Sequence, residues 1–275
     1  MVLLDWTEKI NWSFLVGQSS TQAKIHFQRG QEFYTNKQYQ EAIQSFTHAI
    51  DLKPDYAEAY GHRARGYFKL RKYKAAFADC NYAIQLDDTD AQVYATRGGT
   101  CFKLKKYEQA LADCNHAIRL KPHLTKAYYY RGITRCQLQT YQEAVSDFSH
   151  VIRANPYLTE GYYNRAVAKF YSGNIQGAIE DYNHALACNP QYANAYYNRG
   201  LAKKKLGDHQ EAFLDWRQAA DLFLHQRRMS AYSKAIHLMQ SSPISEKKRR
   251  QRSPDIIERG VENIEVDEIA SGLLQ

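Results

Sequence analysis

Residues 195–205, AYYNRGLAKKK, set an Asn-Arg-Gly step just before three lysines. Backbone N–H groups at a glycine together with ammonium groups are the chemistry of an anion site, for phosphate or nucleic acid. His48, His116, His150 and His184 raise a second chemistry, metal ligation, and Cys80, Cys101, Cys114, Cys136 and Cys188 a third, that of the thiolate. No phosphate-binding P-loop, dinucleotide fingerprint, zincin motif or nucleophile elbow accompanies them. The cysteines form no Cys-x-x-Cys pair and are odd in number, so a disulfide framework is not expected.

The anion motif does not stand alone. AYGHRA at 59–64, VYATRG at 93–98, AYYYRG at 127–132 and GYYNRA at 161–166 precede it. Tyr60, Tyr94, Tyr128, Tyr162 and Tyr196 keep a spacing of 34 residues, as do Arg63, Arg97, Arg131, Arg165 and Arg199. A strict period of this length signals a repeat in which each unit is one pair of helices. Taking Ala23 as position 1 gives six units, 23–56, 57–90, 91–124, 125–158, 159–192 and 193–226. Position 8 is Gly30, Ala64, Gly98, Gly132, Ala166 and Gly200; position 20 is Ala in every unit; position 27 is Ala in all but one, where it is Val151. Small residues there let two antiparallel helices approach, and Pro54, Pro122, Pro156 and Pro190 at position 32 end the second helix. Cys80 and Cys114 share position 24 with Phe46, Phe148, Tyr182 and Trp216, which marks them as core residues. The histidines share position 26, and equivalent residues on helices about 8 to 10 Å apart cannot share one metal, so a solvated stripe is expected.

This skeleton resembles the tetratricopeptide repeat over residues 23–226. The resemblance implies an all-α fold: a right-handed superhelical solenoid of six helix-turn-helix units. It also implies a non-catalytic scaffold or adaptor for protein–protein interaction, without cofactor or metal. Position 7 departs from the family in being Arg in all six units, while position 23 is Asp79, Asp113, Asp147, Asp181 and Asp215 in five. A ladder of Arg–Asp pairs within the helix packing is the expected reading, since semi-buried charges need partners. In the resembled family a groove is lined by the first helices, chiefly at positions 2, 5, 9, 12 and 13. Carried over, these give a partner surface of Phe27, Tyr34, Arg65, Phe68, Lys69, Phe102, Lys103, Lys126, Tyr129, Tyr163, Phe170, Tyr171, Tyr197, Lys204 and Lys205. Such residues suit an extended peptide or amphipathic helix that is partly acidic. RNA or another single-stranded nucleic acid in the same groove is the alternative, with bases on aromatics and phosphates along the cations. A further alternative is a chaperone co-factor gripping the acidic tails of Hsp70 or Hsp90. Asn164 and Asn198 stand at one position of the clamp used for that purpose, but Tyr129 and Ile133 replace its first Lys and Asn.

The chain carries a net charge of +8, and residues 23–226 hold 27 Lys and Arg against 20 Asp and Glu. No run of about 18 apolar residues suggests a membrane span, and MVLLDWTEKINW lacks the basic start of a secretory signal, so a cytoplasmic protein is expected. Residues 1–22 read as a flank whose Trp6, Trp12, Phe14 and Leu15 cover the first repeat or meet a partner. Residues 227–240 read as a capping helix, with Met229, Tyr232, Ile236 and Met239 at helical spacing. Residues 241–275 read as a charged, flexible tail with a basic run at Lys247–Arg252. Its end is acidic and apolar, with Ile257, Val261, Ile264 and Ile269 on one side of a short helix, a segment able to dock on a basic surface and support self-association.

Overall fold

The computed structural model describes the backbone of residues 4–243 and the side chains of residues 19–243. The side chains of Trp6, Trp12, Phe14 and Leu15, and the whole of the basic run Lys247–Arg252 and the acidic, apolar end of the chain, therefore lie outside what is described. Among those described are thirteen α-helices and no strand. They are α1 Leu4–Thr35, α2 Tyr39–Leu52, α3 Ala57–Lys69, α4 Tyr73–Leu86, α5 Ala91–Lys103, α6 Tyr107–Leu120 and α7 Thr125–Gln137. There follow α8 Tyr141–Ala154, α9 Thr159–Tyr171, α10 Ile175–Cys188, α11 Ala193–Lys205, α12 His209–His225 and α13 Met229–Gln240. The chain divides into two compact units, Met1–Thr134 and Arg135–Gln275, in each of which consecutive helices pack as neighbours. The backbone of the segment before residue 23 is helical from Leu4 and continuous with the first repeat's first helix.

The turn inside each helix pair is the same device six times. Lys37, Arg71, Lys105, Gln139, Gly173 and Gly207, at position 15, all have φ between +57° and +91°. The N–H of the next residue reaches back five positions, as from Gln38 to the Phe33 carbonyl and from Lys106 to that of Cys101. This left-handed turn satisfies the last carbonyls of the first helix. Only two of the six turns use glycine, so the other four hold side chains where a Cβ is disfavoured.

Second helices stop where position 32 dictates. α2, α6, α8 and α10 each end two residues before a proline. Asp88 stands in that place after α4, and there Asp87 Oδ1 accepts from the N–H and hydroxyl of Thr89, while Asp90 caps α5 through the Gln92 N–H. Leu224 stands there in the sixth unit, and α12 runs on to 17 residues instead of 14.

The core is a column of alanines flanked by one large residue per unit. Ala42, Ala76, Ala110, Ala144, Ala178 and Ala212 are fully buried, as are Phe46, Cys80, Cys114 and Phe148, with Tyr182 and Trp216 at 1% exposure. Gly200 shows why position 8 is small: a Cβ there would lie 2.6 Å from the Trp216 indole nitrogen. At the end, α13 lays Ala231, Ala235, Tyr232 and Ile236 on Ala219, Ala220 and Phe223 of α12. Met229, expected on this packing face, is instead 55% exposed, because the alanines one turn apart let the two helices close without it.

Candidate functional site

Five of the six arginines at position 7, Arg63, Arg97, Arg131, Arg165 and Arg199, are held by their own helix and by neighbouring helices. In the first unit Arg63 donates through Nε and Nη2 to the two carboxylate oxygens of Asp79, at 2.7 and 2.9 Å, and Arg97 does the same to Asp113. In the second unit Arg165 and Arg199 clasp Asp181 and Asp215 in this fork. The remaining Nη1 turns to a polar side chain sixteen residues earlier: Thr47, Asn81, Asn115, Ser149 or Asn183 for Arg63, Arg97, Arg131, Arg165 and Arg199. Asp147 takes Arg135 Nη1 at 2.6 Å. Tyr60, Tyr94, Tyr128, Tyr162 and Tyr196 each place a ring 5.2 to 5.8 Å from the guanidinium carbon three residues on. These arginines are thus held within the helix packing and joined to the preceding unit.

Position 11 adds a second cation that sequence reasoning missed. Lys169 pairs with Asp181, and Lys203 with Asp215, each at 2.9 Å. The recurrence of Arg135, Lys169 and Lys203 at one repeat position was the available signal. Of the three lysines in the opening motif, Lys203 is therefore structural and only Lys204 and Lys205 are exposed.

The partner surface expected from the sequence separates into a buried set and an exposed face. Phe27, Phe68, Phe102 and Tyr163 are only 4 to 7% exposed. Phe27, for example, sits among the rings of Phe46, Tyr56 and His62. These four, expected from the sequence on the partner surface, are packed within the helix array. In the first unit the face is made by Tyr34, Arg65, Lys69, Lys103, Lys126 and Tyr129, all partly or wholly exposed. Arg65 lies 4.9 Å from the Tyr34 ring centre. Lys126 reaches Thr96 Oγ1 at 3.3 Å and stands over Phe68 and Tyr130 at 6.0 and 5.9 Å. Burial, then the charge of Arg65, lowers the Lys126 amine to about 8.

Tyr130 is the first unit's unforeseen member. Its ring meets Phe68 edge-on at 5.9 Å and rests where Gly99 leaves room, since a Cβ at Gly99 would lie 2.6 Å from Tyr130 Cζ. Burial pushes its hydroxyl well above the usual phenol range. Position 6 was the signal, because it lies one turn beyond position 2 and shares its face.

In the second unit Tyr171, 37% exposed, stacks on Tyr141 at 5.2 Å, and Lys205 stands 5.1 Å over Phe170. Tyr197 leans on Phe223 under α13. Asn164, buried, donates to the Glu160 carbonyl, and Asn198 donates to the Tyr163 hydroxyl at 2.9 Å.

The histidine stripe is more than solvated. His48 lies against His26, while His116 and His184 stack on Tyr94 and Tyr162 at 4.2 and 5.1 Å. Among the described residues no group of three His, Cys, Asp or Glu side chains is placed to hold a metal ion. Cys80, Cys101, Cys114 and Cys136 are buried free thiols, and burial pushes Cys101 and Cys136 up to about 12 and Cys80 higher. Such thiols are poor nucleophiles.

Helix pairs repeating every 34 residues, each joined by the same left-handed turn, define an all-α helical-repeat solenoid protein. The chain belongs to the tetratricopeptide-repeat family: models of the tetratricopeptide repeat match residues 23–56, 91–124 and 193–223, and a TPR repeat model matches 168–207. No curated protein matches it in sequence. Among solved structures it is similar to YrrB, a TPR protein with an unusual peptide-binding site, at 21% identity and a TM-score of 0.56, over 66% of this chain and 97% of that one. It is similar to PilF of Pseudomonas aeruginosa at 19% identity and a TM-score of 0.63, over 79% and 97% of the two chains. Cut9 with Hcn1, an APC/C hetero-tetramer, aligns at 14% identity and a TM-score of 0.67, over 85% of this chain and 46% of that one. At these identities the likeness is one of fold.

Proposed function

We propose that this protein is a non-catalytic scaffold that binds an extended peptide or helical segment, partly acidic, along the first helices of its repeats. Tetratricopeptide-repeat proteins bind protein partners, and the peptide-binding site of YrrB is a precedent in the same fold. The observation that carries the reading is a contrast between two sets of cations. Four of the arginines at position 7, Arg63, Arg97, Arg165 and Arg199, are neutralised by aspartates, whereas Arg65, Lys69 and Lys126 pair with no carboxylate among the described residues, and Arg65 and Lys126 stand beside Tyr34, Phe68 and Tyr130. Unneutralised cations beside aromatic rings offer both charge and apolar area to a peptide.

The chaperone-tail alternative is disfavoured by Asn164 and Asn198, whose amides are engaged inside the second unit. Cytosolic residence accords with five free thiols, and no helix among the described residues is long and apolar enough to cross a membrane.

The test is retention of the protein on an array of acetylated, amidated nonapeptides, comparing wild type with an Arg65→Glu, Lys69→Glu double variant. We expect wild type to retain a subset and the double variant to lose at least tenfold in affinity for it. Equal retention by both, or none by wild type, would remove the groove reading. Tight binding of random single-stranded RNA, abolished by the same substitutions, would replace it with the nucleic-acid alternative.

A further inference from the structure

We infer that residues 255–269 of this chain pack along an open apolar strip of α13, made by Met229, Tyr232 and Ile236, and so close the C-terminal end of the array. The inference concerns that end alone and stands independently of the groove reading.

The strip follows from register. α13 repeats the first helix of the unit before it: MSAYSKAI lies on ANAYYNRG, with Ala231 and Ala235 buried on one side, as Ala195 is in α11. Met229 thus answers to Ala193, Tyr232 to Tyr196 and Ile236 to Gly200. The offset exceeds the 34-residue period by two because α12 runs past the length of its counterparts. In α11 these three positions face the helix that follows. Ala193 and Tyr196 share a cluster with Ala219 of α12, and a Cβ on Gly200 would meet the Trp216 indole. In α9 the same flank sets Tyr162 on His184 of α10. α13 keeps the flank, yet among the described residues it packs on α12 and no helix follows it. Tyr232 and Ile236 are half-buried against the cluster of Ala219, Ala220 and Phe223, and Met229 is 55% exposed. A helix flank that faces water is ordinarily polar, as α13 is at Ser230, Ser233, Lys234 and His237. This flank is apolar instead.

The chain that follows supplies the occupant. Residues 244–254 span about 36 to 40 Å when fully extended, twice the length of α13 at about 18 Å, so they return the chain along α13 with slack. Beyond them Ile257, Val261 and Ile264 recur at helical spacing, with Gly260 on the same side. In the sixth repeat the small residue sits on the first helix and the large one on the second, Gly200 against Trp216. Here the sizes are exchanged, with Ile236 on α13 and Gly260 on the segment. Charge agrees. Residues 255–269 hold six acids and one arginine. Antiparallel to α13, the segment carries Glu262, Glu265, Asp267 and Glu268 toward Arg227 and Arg228 at the start of that helix.

Three measurements on the full chain test this. With p-benzoylphenylalanine in place of Met229, irradiation in dilute solution should join residue 229 to residues 255–269 of the same chain, read as cross-linked peptides from the monomer band. Hydrogen peroxide should oxidise Met229 to its sulfoxide at least about fivefold more slowly in wild type than in an Ile257→Asp, Val261→Asp, Ile264→Asp variant whose repeat helices are intact by circular dichroism. Peptides retained by wild type should bind that triple variant equally well, because Met229, Tyr232 and Ile236 lie off the register of the groove positions. Equal oxidation rates, or cross-links that miss residues 255–269, would overturn the inference and leave the scaffold reading in place. Cross-links found only in covalent dimers would overturn it in favour of a second copy on the strip. A tenfold gain in peptide affinity in the triple variant would overturn it by placing the segment in the groove.

Discussion

At the scale of single residues, each titratable group is decided by whether a partner stands beside it. His62 touches the rings of Phe27 and Phe46, and burial, then the charge of Arg65, lowers its imidazole to about 4. The unfolded chain binds its proton near pH 6.5 and the folded chain only near 4, so stability is lost as pH falls through that window. We expect wild type to lose on the order of 2 to 3 kcal/mol from this group between pH 7 and pH 4. Urea unfolding of His62→Leu at both pH values should show the loss reduced by that amount. Asp181 is the opposite case, a carboxylate 3% exposed that holds both Arg165 and Lys169. Asp181→Ala leaves two enclosed cations without a counter-charge and should cost about 3 to 5 kcal/mol in urea unfolding.

At the scale of elements, the repeat is held by geometry that tolerates little change. The turn at Lys105 holds a lysine at φ +58° where glycine fits without strain. Lys105→Gly should therefore gain about 0.5 to 1 kcal/mol despite the looser unfolded chain, because the left-handed penalty is about 1 to 2 kcal/mol. Gly99 is the reverse, since its missing Cβ is the space that the Tyr130 ring occupies. Gly99→Ala should cost about 1 to 3 kcal/mol, and most of that should vanish when Tyr130→Ala is already present. Thermal unfolding of the two single variants and the double variant measures the coupling.

At the scale of the whole molecule, a net charge of +8, of which residues 23–226 carry +7, makes ionic strength the discriminating variable. A peptide held by a few unpaired cations and several rings should lose about tenfold in affinity between 50 and 300 mM salt. A single-stranded nucleic acid tracking many cations should lose about a thousandfold or more. Fluorescence anisotropy with a retained peptide and with an RNA of random sequence makes the comparison.

The sequence by itself determined the repeat: its period, its helices and the residues that let them meet. Gly200, Ala212 and Pro190 act on their own or adjacent helices, and local sterics read the same wherever they occur. It could list which side chains belong to the first-helix face. It could not say that Phe27, Phe68, Phe102 and Tyr163 are buried, or that Met229 of α13 is left exposed. Nor could it show that Lys203 has an aspartate and that Lys126 has none among the described residues. Those outcomes depend on which residues of neighbouring helices arrive at the same place, and whether a charge is neutralised is a property of that meeting. The tertiary structure alone decided it.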